Sequence, residues 1–286
     1  VRRWLAARLP ASPFQPSAAI DRGSPIQPGM KVLNLVTVLA LLSAYATAGV
    51  VAWDVSSGRD PWSDRPAALK VCFDAFWILT MLLMWVQLAT TQHFTQVEKQ
   101  FVFYASYHNS FPNQLIHFCF VWPILVTAIM FLTWVTCATV AVAGCTVHLP
   151  SLAFALVYAV YYLCLERPVG VAAAVFVMLA WASAEVLKRD HGLHLAPVVF
   201  GVHLASWVAQ FVGHGVFEGR APALLDNLAQ SFFMAPLFVL LEALSWCGYK
   251  RVLFADMKGR VRRNIDIFKQ GGSVSVSGDG GEPLLG

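Results

Sequence analysis

The residues with the clearest potential for chemistry lie between Gly201 and Glu218, in the segment GVHLASWVAQFVGHGVFE. This apolar segment contains two histidines, His203 and His214, together with Gln210 and Glu218. An ionisable side chain at the centre of a membrane helix costs roughly 2.5–3.5 kcal/mol, so each needs a partner or a function. In a regular helix their spacing of 7, 4 and 4 residues places all four on one stripe. We therefore predict that this stripe faces protein and, given its residue types, a metal ion.

A second pair of histidines lies upstream, in the sequence YASYHNSFPNQLIHFC. In one unbroken helix the nine-residue spacing of His108 and His117 would put them on opposite faces. Pro112 breaks that helix, because proline lacks the backbone N–H and restricts the residue before it. The two histidines are then predicted to converge from either side of a corner. Asn113 lies four residues before His117, on the same face of the second helix.

Histidine is the commonest protein ligand for iron, zinc, copper and nickel. Three or four histidines from two helices, with a carboxylate and amides nearby, suit a nonhaem iron site. The amides of Asn113 and Gln210 would orient the imidazole rings or a bound substrate. The alternative is that each histidine is a hydrogen-bonded polar residue inside a helix bundle. The remaining histidines lie in loops or at span ends, where solvated or interfacial side chains are expected (His93, His148, His191 and His194).

The composition indicates the class of protein that must position these residues. Hydrophobic residues make up 58% of the chain and charged residues 13%, with a mean hydropathy of +0.62. A soluble domain has about 25% charged residues, so we predict an integral membrane protein in contact with lipid. The net charge of +4 is not a nucleic-acid signal, because the basic residues cluster at the two ends, beside membrane helices.

The apolar runs predict an all-α fold, a polytopic transmembrane helix bundle with about 5 to 7 membrane segments. The run 115–143 is interpreted as one span with a possible kink at Pro123. The run 150–165 reaches only about 24 Å at 1.5 Å per residue, short of a ~30 Å hydrocarbon core. The other predicted spans are 32–53, 69–91, 169–187, 195–217 and 224–247.

The chain divides into four predicted parts. Residues 1–29 read as a leader or as untranslated-like sequence, and residues 30–92 as an N-terminal extension with two apolar segments. The first of these segments is either a signal peptide or a membrane anchor, with the anchor favoured because the apolar run continues to Trp53. Residues 93–253 form the histidine-bearing membrane domain. Residues 254–286 are basic and then Gly/Ser-rich, a composition typical of disorder.

Two stretches carry a resemblance to a known family. Tyr107-His108 with Asn113 and His117, followed by the segment from Trp207 to Glu242, closely resembles the membrane-bound 2-hydroxy fatty acid dioxygenases of the Mpo type. The resemblance covers roughly residues 96–253. It implies an Fe(II)-dependent enzyme, built as a helical bundle in the endoplasmic reticulum membrane, that acts in phytosphingosine degradation. The implied substrates are O2 and a long-chain 2-hydroxy fatty acid, which is shortened by one carbon with release of CO2.

The resemblance also implies roles for individual residues. His108, His117 and His214 correspond to iron ligands or essential residues. His203 is a fourth candidate, but it lies about 16 Å along a regular helix from His214, so it belongs to a surrounding shell or substrate channel unless the helix breaks at Gly213. Five further residues are expected to act at the site. Glu218, Gln210 and Asn113 are expected to act in catalysis, and Arg220 and Tyr107 in substrate binding.

Two other classes of function stay open at this point. The first is a b-type haem protein without catalysis, with His117 and His214 as axial ligands. The second is a transporter that uses histidine and glutamate as a proton relay. Transporters commonly contain internal repeats, and we find none in this sequence, which ranks the transporter last.

Overall fold

The structure is a computed structural model that describes residues 28–91, 94–219 and 228–269. The leader-like segment up to residue 27, His93, Arg220 and the Gly/Ser-rich tail from residue 270 lie outside the described residues. Within them the architecture is a helical bundle with one short β-hairpin, which confirms the predicted fold class.

Eleven helical elements and two strands are described, in the following order along the chain. They are α1 (Pro28–Ser56), α2 (Ala67–Thr90), α3 (Val97–Tyr107), α4 (Phe111–Thr133), β1 (Thr139–Val142), β2 (Cys145–His148), α5 (Leu149–Leu165), α6 (Arg167–His191), α7 (Ala196–Val212), the π-helix π1 (Gly213–Glu218), the π-helix π2 (Gln230–Met234), α8 (Ala235–Trp246) and α9 (Arg251–Lys269).

Five of the described helical segments are long and apolar enough to cross a membrane: α1, α2, α4, α6, and α7 continued by π1. The segment formed by π2 and α8 makes a sixth if it is joined with α9, from which it is bent by 115°. This number agrees with the predicted 5 to 7 segments. Helix α5 is apolar but has 17 residues, so it is shorter than a typical span. By length and composition this is a multi-pass membrane protein.

One predicted span was wrong in its extent. Helix α4 ends at Thr133, and the chain then forms the antiparallel hairpin of β1 and β2. Apolar β-branched residues fit a strand as well as a helix, so hydropathy alone did not separate the two. The hairpin turn is made by Ala143 and Gly144, which have positive φ angles of 50° and 79°. Positive φ at both central residues is the geometry of a tight two-residue turn between strands.

Helix α4 lies at the centre of the bundle, in contact with α5, α6, α7, α8 and π1. Helices α5 and α6 form a tight antiparallel pair, while α3 packs against α8 and α9. The position of α4 matters for function because one of the candidate metal ligands, His117, lies on it. Residues from several surrounding helices can therefore meet at its N-terminal half.

The N-terminal pair α1 and α2 packs against this bundle through aromatic side chains. Tyr45 of α1 lies 5.6 Å from Trp77 of α2 between ring centroids, and Trp77 lies 4.9 Å from Phe131 of α4. A buried hydrogen bond from Gln87 Nε2 to Thr37 Oγ1, 3.2 Å long, joins α2 to α1. Buried polar contacts of this kind stabilise helix pairs in membranes. The pair is thus part of the packed structure, and α1 also contacts α7.

Candidate metal centre

The corner between α3 and α4 brings the first two histidines together. Helix α3 ends at Tyr107, His108 occupies the corner, and α4 begins at Phe111 with Pro112 in its first turn. The Gln114 side-chain amide donates to the His108 carbonyl over 2.9 Å, which fixes the backbone of the corner. The predicted convergence is confirmed, because His108 Nε2 lies 2.9 Å from His117 Nε2.

A change of helix type supplies the third histidine. Helix α7 ends at Val212, and the chain continues as the wider π1, of which His214 is the second residue. Such π-turns are rare and frequently occur at functional sites. At Gly213 a Cβ atom would overlap Asn113 Oδ1 on α4, so glycine permits the close approach of the two segments. The helix is therefore not regular beyond Gly213, and the single stripe predicted from the sequence ends there.

His108, His117 and His214 form a compact and buried group. One ring nitrogen from each lies within 4.8 Å of the others. The ring centroids are separated by 4.2 Å between His108 and His117, 4.8 Å between His108 and His214, and 4.9 Å between His117 and His214. Of the residues that the structure describes, these three make the one cluster with this ligand spacing.

The hydrogen bonds of His108 and His117 determine which nitrogens face the centre of the group. His108 Nδ1 lies 2.7 Å from the Tyr104 carbonyl oxygen, and His117 Nδ1 lies 2.9 Å from that of Asn113. A carbonyl oxygen only accepts, so each Nδ1 carries the proton and each Nε2 presents a lone pair. Two lone pairs 2.9 Å apart repel each other unless a cation lies close to both. This arrangement, with Nδ1–H donated to a backbone carbonyl, is typical of metal-binding histidines.

The geometry fits a transition-metal ion. Two imidazole nitrogens at bond lengths of about 2.1 Å can lie 2.9 Å apart when they occupy neighbouring positions around one ion. Imidazole ligands suit iron, zinc, copper and nickel. A b-type haem fits poorly, because its two axial imidazoles lie on opposite faces of the macrocycle, whereas these three rings meet at a common corner.

Behind His108 lies a polar pair that the sequence analysis missed. The Tyr104 ring stacks on His108 with centroids 4.0 Å apart and planes 20° from parallel. The Tyr104 hydroxyl donates to Glu242 Oε2 over 3.4 Å. Both residues are buried, and 138 positions separate them in the chain. The available signal was Glu242 itself, an ionisable residue inside the apolar helix α8.

The three residues predicted to act in catalysis occupy different positions. Glu218 Oε1 accepts from the Ser110 backbone N–H over 2.7 Å and from Asn113 Nδ2 over 3.2 Å. It thereby fastens the end of π1 to the start of α4, where the helix dipole favours a carboxylate. Gln210 lines the same cavity as the histidine group. Within the described ranges, neither Gln210 Nε2 nor Asn113 Oδ1 has a hydrogen-bond partner.

His203 does not join the group. Its Nδ1 lies 2.7 Å from Thr127 Oγ1, and its Nε2 accepts from Trp207 Nε1 over 2.9 Å. The ring packs between Tyr45 and Phe131, with centroids 4.7 and 5.1 Å away. Both ring nitrogens are therefore occupied by protein groups, and the structure gives His203 a packing role in place of the metal-ligand role considered from the sequence.

The expectation of a solvated His148 was also wrong. His148 is buried at the start of α5, where its Nδ1 lies 2.8 Å from Glu185 Oε2 on α6. Ser151 Oγ donates to the other oxygen of Glu185 over 2.7 Å. By contrast, His191 and His194 are exposed as expected. This contact ties the β-hairpin end of α5 to α6.

An apolar cavity opens beside the histidine group. It contains about 920 Å³ of space between protein atoms, including its opening to the outside. All three histidines line it, together with Gln210 and Tyr107, the residue predicted to contact substrate. Apart from these groups and the polar residues Gln230 and Ser231, the walls consist mainly of aliphatic and aromatic side chains, among them Val121, Ile124, Leu125, Phe154, Trp207 and Phe211. Such a combination of apolar walls and a few polar groups is typical of small-molecule sites.

Fold and site together define a polytopic membrane protein with a buried histidine centre and an adjoining apolar cavity. The family model for 2-hydroxy-palmitic acid dioxygenase Mpo1-like proteins matches residues 94–246, and the chain belongs to this family. It is 33% identical over 178 residues to 2-hydroxy-palmitic acid dioxygenase MPO1 of Saccharomyces cerevisiae, an alignment that covers 61% of this chain and 96% of the yeast protein. No solved structure matches the chain. Helices α1 and α2 precede the matched residues.

Proposed function

We propose that this chain is an Fe(II)-dependent dioxygenase for long-chain 2-hydroxy fatty acids. The reaction consumes one O2 and converts R–CH(OH)–COOH to R–COOH, CO2 and water, so that the bond between C1 and C2 breaks. The observation that carries the proposal is the group of His108, His117 and His214 at the polar end of an apolar cavity. Following the family resemblance, we also propose that the reaction belongs to sphingoid-base catabolism at the endoplasmic reticulum membrane.

The three histidines would hold the ion, with the Nε2 atoms of His108 and His117 directed at it. When bound, Fe(II) supplies positions for the substrate hydroxyl and carboxylate and for O2, since three imidazoles leave other positions open. The Tyr104 ring stacks on His108, and the Tyr104 backbone carbonyl accepts a hydrogen bond from His108 Nδ1–H. Tyr104 therefore sets the orientation of the His108 ring.

The amides and the carboxylate have supporting roles. Gln210 lies one helical turn before His214 and lines the cavity, so its amide group would hydrogen-bond the substrate carboxylate. Glu218 and Asn113 hold π1 against α4, which keeps His214 and His117 at their separation. Tyr107 lines the same end of the cavity and would contact the substrate head group. Arg220, for which we expect pairing with the carboxylate, lies outside the described residues.

The apolar walls would bind the acyl tail and exclude water from the site. Removal of a long tail from water is favourable by about 0.8 kcal/mol for each buried CH2 group. A cavity with the histidines at one end would thus order the substrate, with its head at the histidines and its tail between the helices.

Turnover with isotope-labelled substrate tests this proposal. The protein, purified in detergent and loaded with Fe(II), should convert 2-hydroxyhexadecanoic acid to pentadecanoic acid. Substrate labelled with carbon-13 at C1 should release labelled CO2, with one O2 consumed per product. Anaerobic samples and samples reloaded with Zn(II) serve as controls and should be inactive. Folded protein with bound iron that forms no pentadecanoic acid in air would contradict the proposal.

A further inference from the structure

A second apolar cavity lies at the far end of the first. It contains about 430 Å³ of space between protein atoms, including any opening, and it reaches the N-terminal helices. Helix α1 contributes Leu41 to its wall, and α2 contributes Trp77, Thr80, Met81 and Met84. These helices precede the residues that the family model matches. Six of the twelve residues that line the far cavity therefore precede the residues that the family model matches.

Five residues line both cavities and form a collar between them: Tyr45, Ala128, Phe154, Tyr158 and Phe232. The collar is firmly held. The Tyr158 hydroxyl donates to the Phe232 carbonyl over 2.9 Å, and Tyr45 packs against Trp77 and His203. Because the same side chains face both spaces, the two cavities are neighbours, and an alkyl chain that passes between the collar side chains would enter the second.

Helix α4 provides a scale for the distance, because it borders both cavities. Ala128 in the collar follows the ligand His117 by 11 residues, which is about 16 Å of helix, and Leu132 in the far cavity follows it by 15, about 22 Å. An extended alkyl chain advances about 1.3 Å per carbon, since each C–C bond of ~1.5 Å is inclined to the chain axis. About 13 carbons therefore separate the histidines from the collar. The tail of a 2-hydroxyhexadecanoic acid would pass the collar and end in the far cavity.

We propose that α1 and α2 form the end of the acyl channel, and that Met81 and Met84 of α2 determine the longest chain that the site accepts. This inference rests on the proposed function for the identity of the ligand. Both side chains are buried and line the far cavity. Methionine is flexible and adapts to irregular apolar ligands, which suits the end of a channel. The N-terminal helix pair is in this view a specificity element of the enzyme as well as a membrane anchor.

Substitutions at Met81 test the inference in both directions. A mixture of saturated 2-hydroxy acids with chains between dodecanoic and docosanoic length is supplied, and the shortened products are quantified by mass spectrometry. Met81→Trp fills the far cavity and should lower kcat/KM for 2-hydroxyhexadecanoic acid at least about tenfold relative to 2-hydroxydodecanoic acid. Met81→Ala enlarges the cavity and should shift the preferred length upward.

The adjacent residue provides a matched control. Leu82 is next to Met81 on α2 but is 46% exposed on the outer face of the helix. Leu82→Trp should leave the chain-length profile unchanged. Retained turnover of 2-hydroxydodecanoic acid and unchanged iron content would show that Met81→Trp is folded. A wild-type profile in both Met81 variants, with active enzyme, would overturn the inference while the proposed function stands.

A second measurement does not depend on turnover. A hexadecanoic acid with a 2-hydroxy group and a terminal diazirine is bound to the wild-type protein and photolysed, and the labelled peptides are sequenced. Labels in α1 or α2, reduced in Met81→Trp, would support the placement of the tail. Labels confined to α6 or α9, which contribute no residue to the wall of either cavity, would overturn it. Because the probe reports position alone, this result can be read even if the wild-type protein lacks the proposed activity.

Discussion

Two histidines eleven residues apart on the same helical run have opposite surroundings. His203 on α7 and His214 on π1 are each 3% exposed, so burial does not separate them. They differ in what their neighbours offer. His203 is surrounded by hydrogen-bonding groups that match both of its nitrogens, whereas His214 faces two other imidazoles. We infer that a group of facing imidazoles, and not burial, marks a candidate metal ligand in an apolar bundle.

Around His203 the hydrogen bonds form a complete chain. Trp207 Nε1 donates to His203 Nε2, which leaves the proton on Nδ1, and Nδ1 donates to Thr127 Oγ1. Thr127 in turn donates to the Pro123 carbonyl over 2.6 Å. The lone pair on Nε2 and the proton on Nδ1 each therefore take part in a hydrogen bond. A metal ion has no nitrogen to bind here without the loss of a hydrogen bond.

Around His108 and His117 the hydrogen bonds are arranged differently. Each ring donates from Nδ1 to a backbone carbonyl four residues earlier, and the two Nε2 atoms then face each other. Buried polar groups are nearly always matched in native proteins. A metal ion between the two facing nitrogens would be such a match, and we therefore propose that facing imidazole nitrogens, more than burial or residue type, mark a candidate metal centre.

The largest expected effect distinguishes the three clustered histidines from His203. His117→Ala and His214→Ala should each reduce iron content and turnover by more than about 100-fold, since loss of a ligand exceeds the 10- to 100-fold effects of its hydrogen-bond partners. His203→Ala should retain iron. Elemental analysis of all three variants, purified alongside the exposed-residue control His191→Ala, measures the difference. Equal loss of iron in His203→Ala and His117→Ala would show that hydrogen-bonded surroundings do not distinguish His203 from a metal ligand.

A single methyl group at Gly213 gives the next largest effect. Gly213→Ala places a Cβ on Asn113 Oδ1, so π1 and α4 must separate and His214 must move from His117. Overpacking of this kind costs about 1–3 kcal/mol, and a 1 Å displacement of a reacting group lowers the rate roughly a hundredfold. Turnover and iron affinity measure the outcome.

Gly215→Ala is the control, because a Cβ on Gly215 meets no atom within 4 Å among the described residues. Its activity should equal that of the wild type. If Gly213→Ala is as active as Gly215→Ala, the close contact between π1 and α4 is not needed for the geometry of the centre.

The sequence predicted the parts of the site that depend on local rules. The corner at Pro112 follows from the chemistry of proline, and it allowed His108 and His117 to be paired before their distance was known. The discontinuity at Gly213 was one of two alternatives raised by the 16 Å helix rise between His203 and His214. Helix number also follows from local hydropathy, which is why the count of spans agreed with the structure.

The remaining parts depend on contacts between distant positions. The partner of His203 on α4 is 76 residues away in sequence, and the Glu242 that faces Tyr104 is 138 residues away. Hydropathy also failed to separate the end of α4 from the β-hairpin, because both segments are apolar. Spacing along one chain does not contain this information, since it arises only when the helices pack.

A smaller effect is expected from the carboxylate that fastens π1 to α4. Glu218→Gln keeps the size of the side chain but removes its charge, which weakens the bonds from Ser110 and Asn113. We expect iron affinity and turnover to fall about tenfold, within the range for residues that position metal ligands. Asp190→Asn, at an exposed carboxylate on α6, is the control and should have no effect. Complete loss of iron in Glu218→Gln would instead make Glu218 a direct ligand.

The smallest effect on catalysis, and a clear effect on stability, is expected at His203. His203→Phe keeps an aromatic ring between Tyr45 and Phe131 but leaves the buried Trp207 N–H without its acceptor. An unsatisfied buried donor costs about 1–3 kcal/mol, so thermal unfolding in detergent should occur at a lower temperature. Iron content should stay at the wild-type level, and turnover should stay within about twofold of it, because the metal ligands keep their own hydrogen bonds.

A double variant distinguishes the lost hydrogen bond from a general packing defect. Trp207→Phe removes the donor, so combining it with His203→Phe should cost less stability than the sum of the two single changes. The difference is the coupling energy of the pair, for which values of 0.5–3 kcal/mol are typical of residues in contact. Strictly additive losses would mean that the Trp207 bond does not hold His203 in place. The contrast with His214 would then rest on packing alone, and the hydrogen bonds of His203 would not explain why it lies apart from the metal centre.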